Sequence, residues 1–328
     1  MLDRFTHFAA RLSPWVVIAG LAYAAVFVEV DVSTEPMPQP FVEGRDLFFG
    51  STSAGGRLWF VGQDGALLSM DETSRQWQRT QMQPVANLQA IAASDKGVLV
   101  AVGNGGRYWV RNGDGAWTTQ VLPVGEVGNK LVDVAFFHGR FWIVGEMGAL
   151  FRSDADGTNW TRLRDADDVA FNRIRPGPRG SVWIAAEFGR LLHSEDDGAT
   201  WLSQDLGEES LQSIAFAGDD GVVVGNRGQA FHTTDGGSRW QPVAPFTSEH
   251  LYDVLAQAGG WLTLGDRGVL FAGEGGTARW RALAPDGFGK AYHVRLVAAG
   301  DGNVAVGRGI GLLEADGNYR RWPEGVQP

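Results

Sequence analysis

A tryptophan returns about every 41 residues along this chain. It stands at Trp77, Trp117, Trp160, Trp201, Trp240, Trp280 and Trp322, with gaps of 40, 43, 41, 39, 40 and 42. Self-similarity at this period marks a propeller or a solenoid, because one unit of that length cannot bury its own apolar face. Each tryptophan closes a longer phrase. The third unit reads Phe141-Trp-Ile-Val-Gly145-Glu-Met-Gly148-Ala-Leu-Phe-Arg-Ser153-Asp-Ala-Asp-Gly157-Thr-Asn-Trp160. The fifth reads Val222-Val-Val-Gly225-Asn-Arg-Gly228-Gln-Ala-Phe-His-Thr233-Thr-Asp-Gly-Gly237-Ser-Arg-Trp240. A first glycine recurs at Gly62, Gly103, Gly145, Gly225, Gly265 and Gly307, with Ala186 in its place in the fourth unit. It precedes the tryptophan by 15 residues, or by 14 in the second unit.

The phrase has a direct physical reading. The apolar, β-branched run before the first glycine, such as Val98 to Val102, is a strand. V-G-x-x-G is a tight hairpin, since glycine tolerates positive φ. A second strand follows. Then S/T-x-D-x-G-x-x-W makes another turn, whose carboxylate accepts local backbone N–H groups. The tryptophan opens an outer strand and places a large ring between units. One more apolar strand precedes each phrase, as in Leu88 to Ala92 or Leu211 to Ala215. Four strands per unit and seven units predict an all-β, seven-bladed β-propeller of four-stranded antiparallel blades. Radial closure protects the sheet edges, and Met37 to Val42 are expected to latch the ring onto the last blade. Trp59, Trp142 and Trp183 share one slot and are expected in the core between blades.

The first 34 residues form a separate region, and the propeller takes 35–328. Leu12 to Val28 is 17 residues without a charge, at the short end for a membrane span. Arg4 and Arg11 precede it, and Glu29, Asp31 and Glu35 follow, which orients the propeller outward. Ala22-Tyr-Ala24 has the form of a signal-peptidase site, so cleavage after Ala24 is the competing reading. The apolar run continues through Val28 without a polar region, which favours a single N-terminal transmembrane helix at the inner membrane with the propeller in the periplasm. The chain has no cysteine, which excludes disulfides, thiol catalysis, thiolate metal sites and a lipobox anchor.

The repeats resemble Asp-box (BNR-type) repeats, and seven in series resemble the photosystem II stability/assembly factor family of propellers. The motif is clearest at Ser153 to Trp160, Ser194 to Trp201 and Thr233 to Trp240. It is degraded at Ser69 to Trp77, Asn112 to Trp117, Gly273 to Trp280 and Leu313 to Trp322. The resemblance covers about residues 41–322. It implies a non-catalytic scaffold that helps a membrane protein complex assemble. Photosynthetic members typically carry a lipobox cysteine or a twin-arginine signal, and this chain has neither. That points to the non-photosynthetic bacterial branch, which is often associated with resistance-nodulation-division exporters, including MMPL-like ones. The expected partner is therefore a membrane protein complex of transporter type. The alternative is a glycan-binding or glycoside-cleaving Asp-box propeller.

The seven V-G-x-x-G hairpins all join the second and third strands of a blade, so they share one face. Their variable pairs include Glu146-Met147, Glu187-Phe188, Asn226-Arg227, Asp266-Arg267 and Arg308-Gly309. Glu146 and Glu187 predict an acidic side, and Arg227, Arg267 and Arg308 a basic one. A positive arc positions an acidic partner, mainly through orientation and on-rate. The catalytic reading is weak. Asn172-Arg-Ile-Arg-Pro176 resembles the arginine phrase of sialidases, but it lies in the fourth unit and is interrupted. Arg173 and Arg175 are expected to be outward charges on an ordinary strand. Asp154-Ala-Asp156-Gly157 lacks the further ligands of a calcium loop. His193 and His232 share a column with Arg111 and Arg152, which explains them without a metal. No metal or cofactor is expected. A net charge of −10 argues against nucleic acid.

Overall fold

The computed structural model describes residues 15–23, 41–275, 279–300, 302–314 and 316–322. The chain divides into two compact units, 1–40 and 41–328. In the first, residues 15–23 form an exposed helix. The rest of the predicted span, and the cleavage position at Ala24, lie outside the described residues. Among the described residues, no helix is long and apolar enough to cross a membrane.

The second unit consists of seven four-stranded antiparallel sheets, each a meander in sequence order. Blade one comprises Phe48–Ala54, Arg57–Gly62, Ala66–Asp71 and Trp77–Gln81. The first strands of blades two to seven are Leu88–Ala93, Leu131–Phe137, Phe171–Pro176, Leu211–Ala217, Leu251–Gln257 and His293–Ala299. Each lies beside the first strand of the next blade, and the last lies beside the first, so they form the inner ring.

The core follows the same symmetry. Seven apolar clusters are found among the described residues, one at each blade interface. Trp142 and Trp183 are fully buried in two of them, and Trp59 is buried in a third at 7% exposure, as expected for their shared slot. The closing interface joins Phe48, Phe60 and Leu68 of blade one to Val304, Ile310 and Trp322 of blade seven. The expected latch differs. Residues 37–40 lie outside the described residues, and Phe41 and Val42 form no strand. All four strands of blade seven come from His293–Trp322, and Val42 contributes by burial against the closing cluster.

Two details of the repeat are set by register. The outer strand of blade one pairs Met70 with Trp77, and that of blade six pairs Gly273 with Trp280. In blade seven the same position pairs Leu313 with Tyr319. Tyr319 therefore holds the repeat slot, packing edge-on against Phe288 at 5.0 Å. Trp322 stands at the far end of that strand and meets Trp77 of blade one, ring centroids 6.1 Å apart. The first glycine has a role other than the expected one. Gly62, Gly225 and Gly265 are extended, with φ of −163, −158 and −173. A Cβ there would lie 2.0, 2.4 and 1.9 Å from the carbonyl oxygens of Leu47, Ser210 and His250. Close approach, not positive φ, requires glycine at that position. The second glycine of the hairpin is the left-handed one, with φ of 74 at Gly65 and 71 at Gly228.

The Asp-box turns are built as their chemistry predicts. Asp196 accepts from the Thr200 N–H at 2.8 Å, and Gly198 N–H donates to Ser194 Oγ at 2.8 Å. Thr233, Asp235 and Gly237 repeat the pattern. In blade three the third position is Ala155, and the preceding Asp154 takes over, accepting from Thr158 N–H at 3.2 Å. Hydrogen bonds, those from Thr200 foremost, hold the Asp196 carboxyl down at about 2.

Candidate functional site

Antiparallel meanders put the second-to-third hairpins and the links between blades on one face, and the Asp-boxes on the other. A recurring bond fixes this first face. The N–H after the first glycine position donates to the carbonyl of the residue preceding the inner strand in all seven blades. The distances run from 2.8 Å for Gln63 to Leu47 to 3.2 Å for Arg308 to Tyr292. The hairpins are therefore rigid platforms, and their variable side chains are presented in a fixed cycle.

The predicted residues occupy these platforms, with less free charge than expected. Glu146 accepts from the Lys130 N–H at 3.1 Å and pairs with the Lys130 ammonium at 3.2 Å. Glu187 accepts from the Ala170 N–H at 3.0 Å. Each glutamate therefore caps the backbone that leads into its own inner strand. Arg227 and Arg267 are about three-quarters exposed, and each pairs with a glutamate at 3.2 Å, Glu209 and Glu249 respectively. Arg308 is exposed, but its hairpin is two residues shorter, pairing Val306 with Ile310 where blade six pairs Leu264 with Leu270. The basic arc exists as geometry, with carboxylates beside two of its members.

The second variable position of the hairpin is left-handed in blades one to six, with φ of 53 at Asp64, 52 at Arg227 and 50 at Arg267, and blades three and four fill it with apolar side chains. Met147 and Phe188 sit in the left-handed region, at φ of 53 and 56. That region is costly for bulky side chains, of order 1–3 kcal/mol. Blade two places Gly105 at the same position. Yet Phe188 is 60% exposed and Met147 38% exposed, so little burial offsets the strain. Val127, in the link leading into blade three, is also exposed. Blades three and four thus present apolar side chains where blades five to seven present arginine.

The centre of the ring departs most from expectation. One position on the inner strands runs Gly50, Ala90, Asp133, Arg173, Ser213, Asp253 and Arg295 around the cycle, and all are buried. Arg173 is not an outward charge. It lies 3.5 Å from Asp133 of blade three and 3.1 Å from Asp253 of blade six. Arg175 reaches Asp133 at 2.8 Å, and Arg295 of blade seven reaches the same carboxylate at 3.4 Å. Asp133 also accepts from Ile174 N–H, while Asp253 accepts from Leu296 N–H and the Ser213 hydroxyl. Burial lowers the Arg173 pKa, and the charges of Asp253 and Asp133 oppose that shift. Three arginines and two aspartates thus knit blades three, four, six and seven across the axis, and the Ser213 hydroxyl adds blade five. The sequence signal was present, since Leu131-Val-Asp133 and Leu251-Tyr-Asp253 occupy one repeat slot.

Fold and repeat together define a seven-bladed Asp-box propeller with a rigid hairpin face. The model of the family described as photosynthesis system II assembly factor YCF48 matches residues 51–177 and 178–311. The chain belongs to that family. Among solved structures it is similar to a YCF48 bound to a D1 peptide, at 16% identity and a TM-score of 0.66, over 84% of this chain and 93% of that one. It is also similar to YCF48 from Cyanidioschyzon merolae, at 15% identity and 0.65, over 82% and 94%. A catalytically inactive virginiamycin B lyase from Staphylococcus aureus with quinupristin gives 12% identity and 0.69, over 81% and 94%. At these identities the likeness is one of fold. The curated proteins gave no match.

Proposed function

We propose that this chain is a non-catalytic scaffold that docks a segment of a membrane protein complex on its hairpin face. The observation that carries this reading is Phe188, held exposed in a strained backbone conformation on a platform fixed by hydrogen bonds. The turn imposes that conformation on each of blades one to six, and what sets Phe188 apart is a large apolar ring left exposed there, a surface suited to contact with a partner. Family membership supports an assembly role, and a relative with a bound D1 peptide supports a membrane protein as partner. Asp133 and Asp253 are buried and bound by arginine, which favours a scaffold over a glycosidase needing two carboxylates open to substrate.

In the finer reading, residues 12–28 anchor the protein in the inner membrane with the propeller in the periplasm, and the client is a transporter-type complex. The tether raises the effective concentration of the hairpin face near that client. Apolar contacts at Met147 and Phe188 supply binding energy, and the Arg227, Arg267 and Arg308 arc sets orientation. Mild-detergent recovery of the full chain from its native membranes tests this, beside a form beginning at Glu35. A stoichiometric membrane protein in the eluate is the expected result. Propeller alone from both forms removes the scaffold reading.

Phe188→Gly separates docking from stability. Relief of the left-handed strain offsets glycine's entropy, so stability is expected unchanged or raised by up to about 1 kcal/mol. Client recovery is expected to fall sharply. Equal recovery with this variant and with the charge-reversed pair Arg227→Glu and Arg267→Glu would show that the client binds elsewhere.

A further inference from the structure

Trp59, Trp142 and Trp183 share a slot, but the next blade covers only two of them with an Asp-box glycine. A Cβ on Gly198 would lie 2.9 Å from the Trp142 ring, and one on Gly237 would lie 2.3 Å from the Trp183 ring. The blade four box also delivers a carboxylate. Asp197 lies 2.9 Å from Arg152 and 3.5 Å from Arg140, and Arg152 stacks over Trp142 at 5.4 Å.

Blade one repeats the cationic half of this arrangement. Arg57 stands two residues before Trp59, as Arg140 stands before Trp142. Arg57 and Arg111 of blade two both stack on Trp59, at 5.8 and 5.3 Å. Arg111 comes one register position later than Arg152, pairing with Leu99 where Arg152 pairs with Trp142. The box of blade two runs from Asn112 to Trp117, six residues against the eight of Ser194 to Trp201. Its Gly113 meets nothing where a Cβ would stand. What remains is a pocket of about 300 Å³ on the Asp-box face, whose lining includes Arg57, Trp59, Gln78, Leu99, Arg111 and, as its one carboxylate, Asp114.

The local carboxylates neutralise these arginines poorly. Asp71 is 3.9 Å from Arg57, and Asp114 is 3.5 Å from Arg111 through a fully exposed side chain. Arg57 donates to Ser69 and Arg111 to the Gly115 carbonyl. Arg57 Nε and Trp59 Nε1 are buried without an acceptor. Two like charges on one indole, with orphaned donors beside them, are relieved by a charged acceptor.

We propose that this pocket binds a carboxylate, in the role Asp197 plays between blades three and four. A small organic acid or an acidic side chain of a partner supplies it. The site is on the opposite face from the hairpins and stands independently of the docking reading.

Calorimetric titration of the full chain tests it, with succinate as the free acid and N-acetyl-aspartate amide as the chain-borne mimic, against sodium chloride at equal ionic strength. Saturable binding of either is expected, and the tighter ligand identifies the source. Arg57→Gln and Arg111→Gln are each expected to weaken binding roughly tenfold, Asp114→Asn to tighten it, and Arg227→Gln to leave it unchanged. Replacing 112–117 by the eight residues Ser194 to Trp201 is expected to fill the pocket and abolish binding. The proposal fails if neither ligand gives saturable heat above chloride. It also fails if binding survives the double arginine substitution.

Discussion

Replacing Arg173 with methionine is expected to destabilise the ring by about 3–5 kcal/mol, the cost of breaking a buried ion pair from one side. Arg173 lies between Asp133 and Asp253, which come from blades three and six. Its loss takes a cation from both buried carboxylates and strands one of them. Asp133 keeps Arg175 and Arg295, but Asp253 keeps only the Ser213 hydroxyl and a backbone N–H. Asp253 is the more exposed to loss, so pairing Arg173→Met with Asp253→Leu is expected to recover part of the stability, since removing both charges costs less than leaving one. Denaturant unfolding of the full chain measures both variants. An Arg173→Met protein within about 1 kcal/mol of the parent would mean that water already satisfies the aspartates. A double variant weaker than the single would mean that the network is needed as a whole.

Why this network escaped the sequence is instructive. Blade count, strands per blade and the two kinds of turn are local properties, written in periodicity and in turn residues, and these were legible. Partners across the axis are not local. Arg295 and Asp133 lie four blades apart and meet only because the ring closes. An arginine on an apolar strand is usually a surface charge, and only aligning Arg173 with Asp133 and Asp253 in one repeat slot says otherwise. The seventh repeat slot failed for a related reason. Spacing counts residues, whereas register counts pairs. The shorter blade seven hairpin shifts the slot to Tyr319 while a tryptophan stands three residues on. At the candidate face, the identities of Arg227, Arg267, Glu146 and Glu187 were legible. Their neutralisation by Glu209, Glu249 and backbone N–H groups was not, since those partners come from the links between blades. The strain at Phe188 was hidden because the letter F says nothing of φ.

His293 should make the fold lose stability as the pH falls through the range between its unfolded and folded pKa values. Six blades begin their inner strand with a buried Phe or Leu, namely Phe48, Leu88, Leu131, Phe171, Leu211 and Leu251, and only blade seven uses histidine. The imidazole is buried and stacks on Phe288 at 4.3 Å, with Tyr319 edge-on at 6.3 Å. Its pKa is driven down to about 4, chiefly by burial; the Ala291 backbone opposes the shift and the Arg321 charge adds to it. An unfolded histidine titrates near 6.5. Between these values the unfolded chain binds the extra proton, so stability is full above about 6.5 and falls as the pH drops toward 4. The shift corresponds to at most about 3 kcal/mol. The depressed Asp71, Asp154, Asp196 and Asp235 titrate below this window and act on a separate, more acidic limb. His293→Leu installs the residue that four other blades use at this position, and it removes the proton site. Its unfolding free energy is expected to fall less steeply from pH 6.5 to 4 than the parent's, the remaining slope including that of His193, whose pKa burial also lowers, in denaturant titrations at several pH values. A variant that keeps the parent's slope would assign the sensitivity to other groups, and would mean that His293 gains its proton in the folded ring as readily as in the unfolded chain.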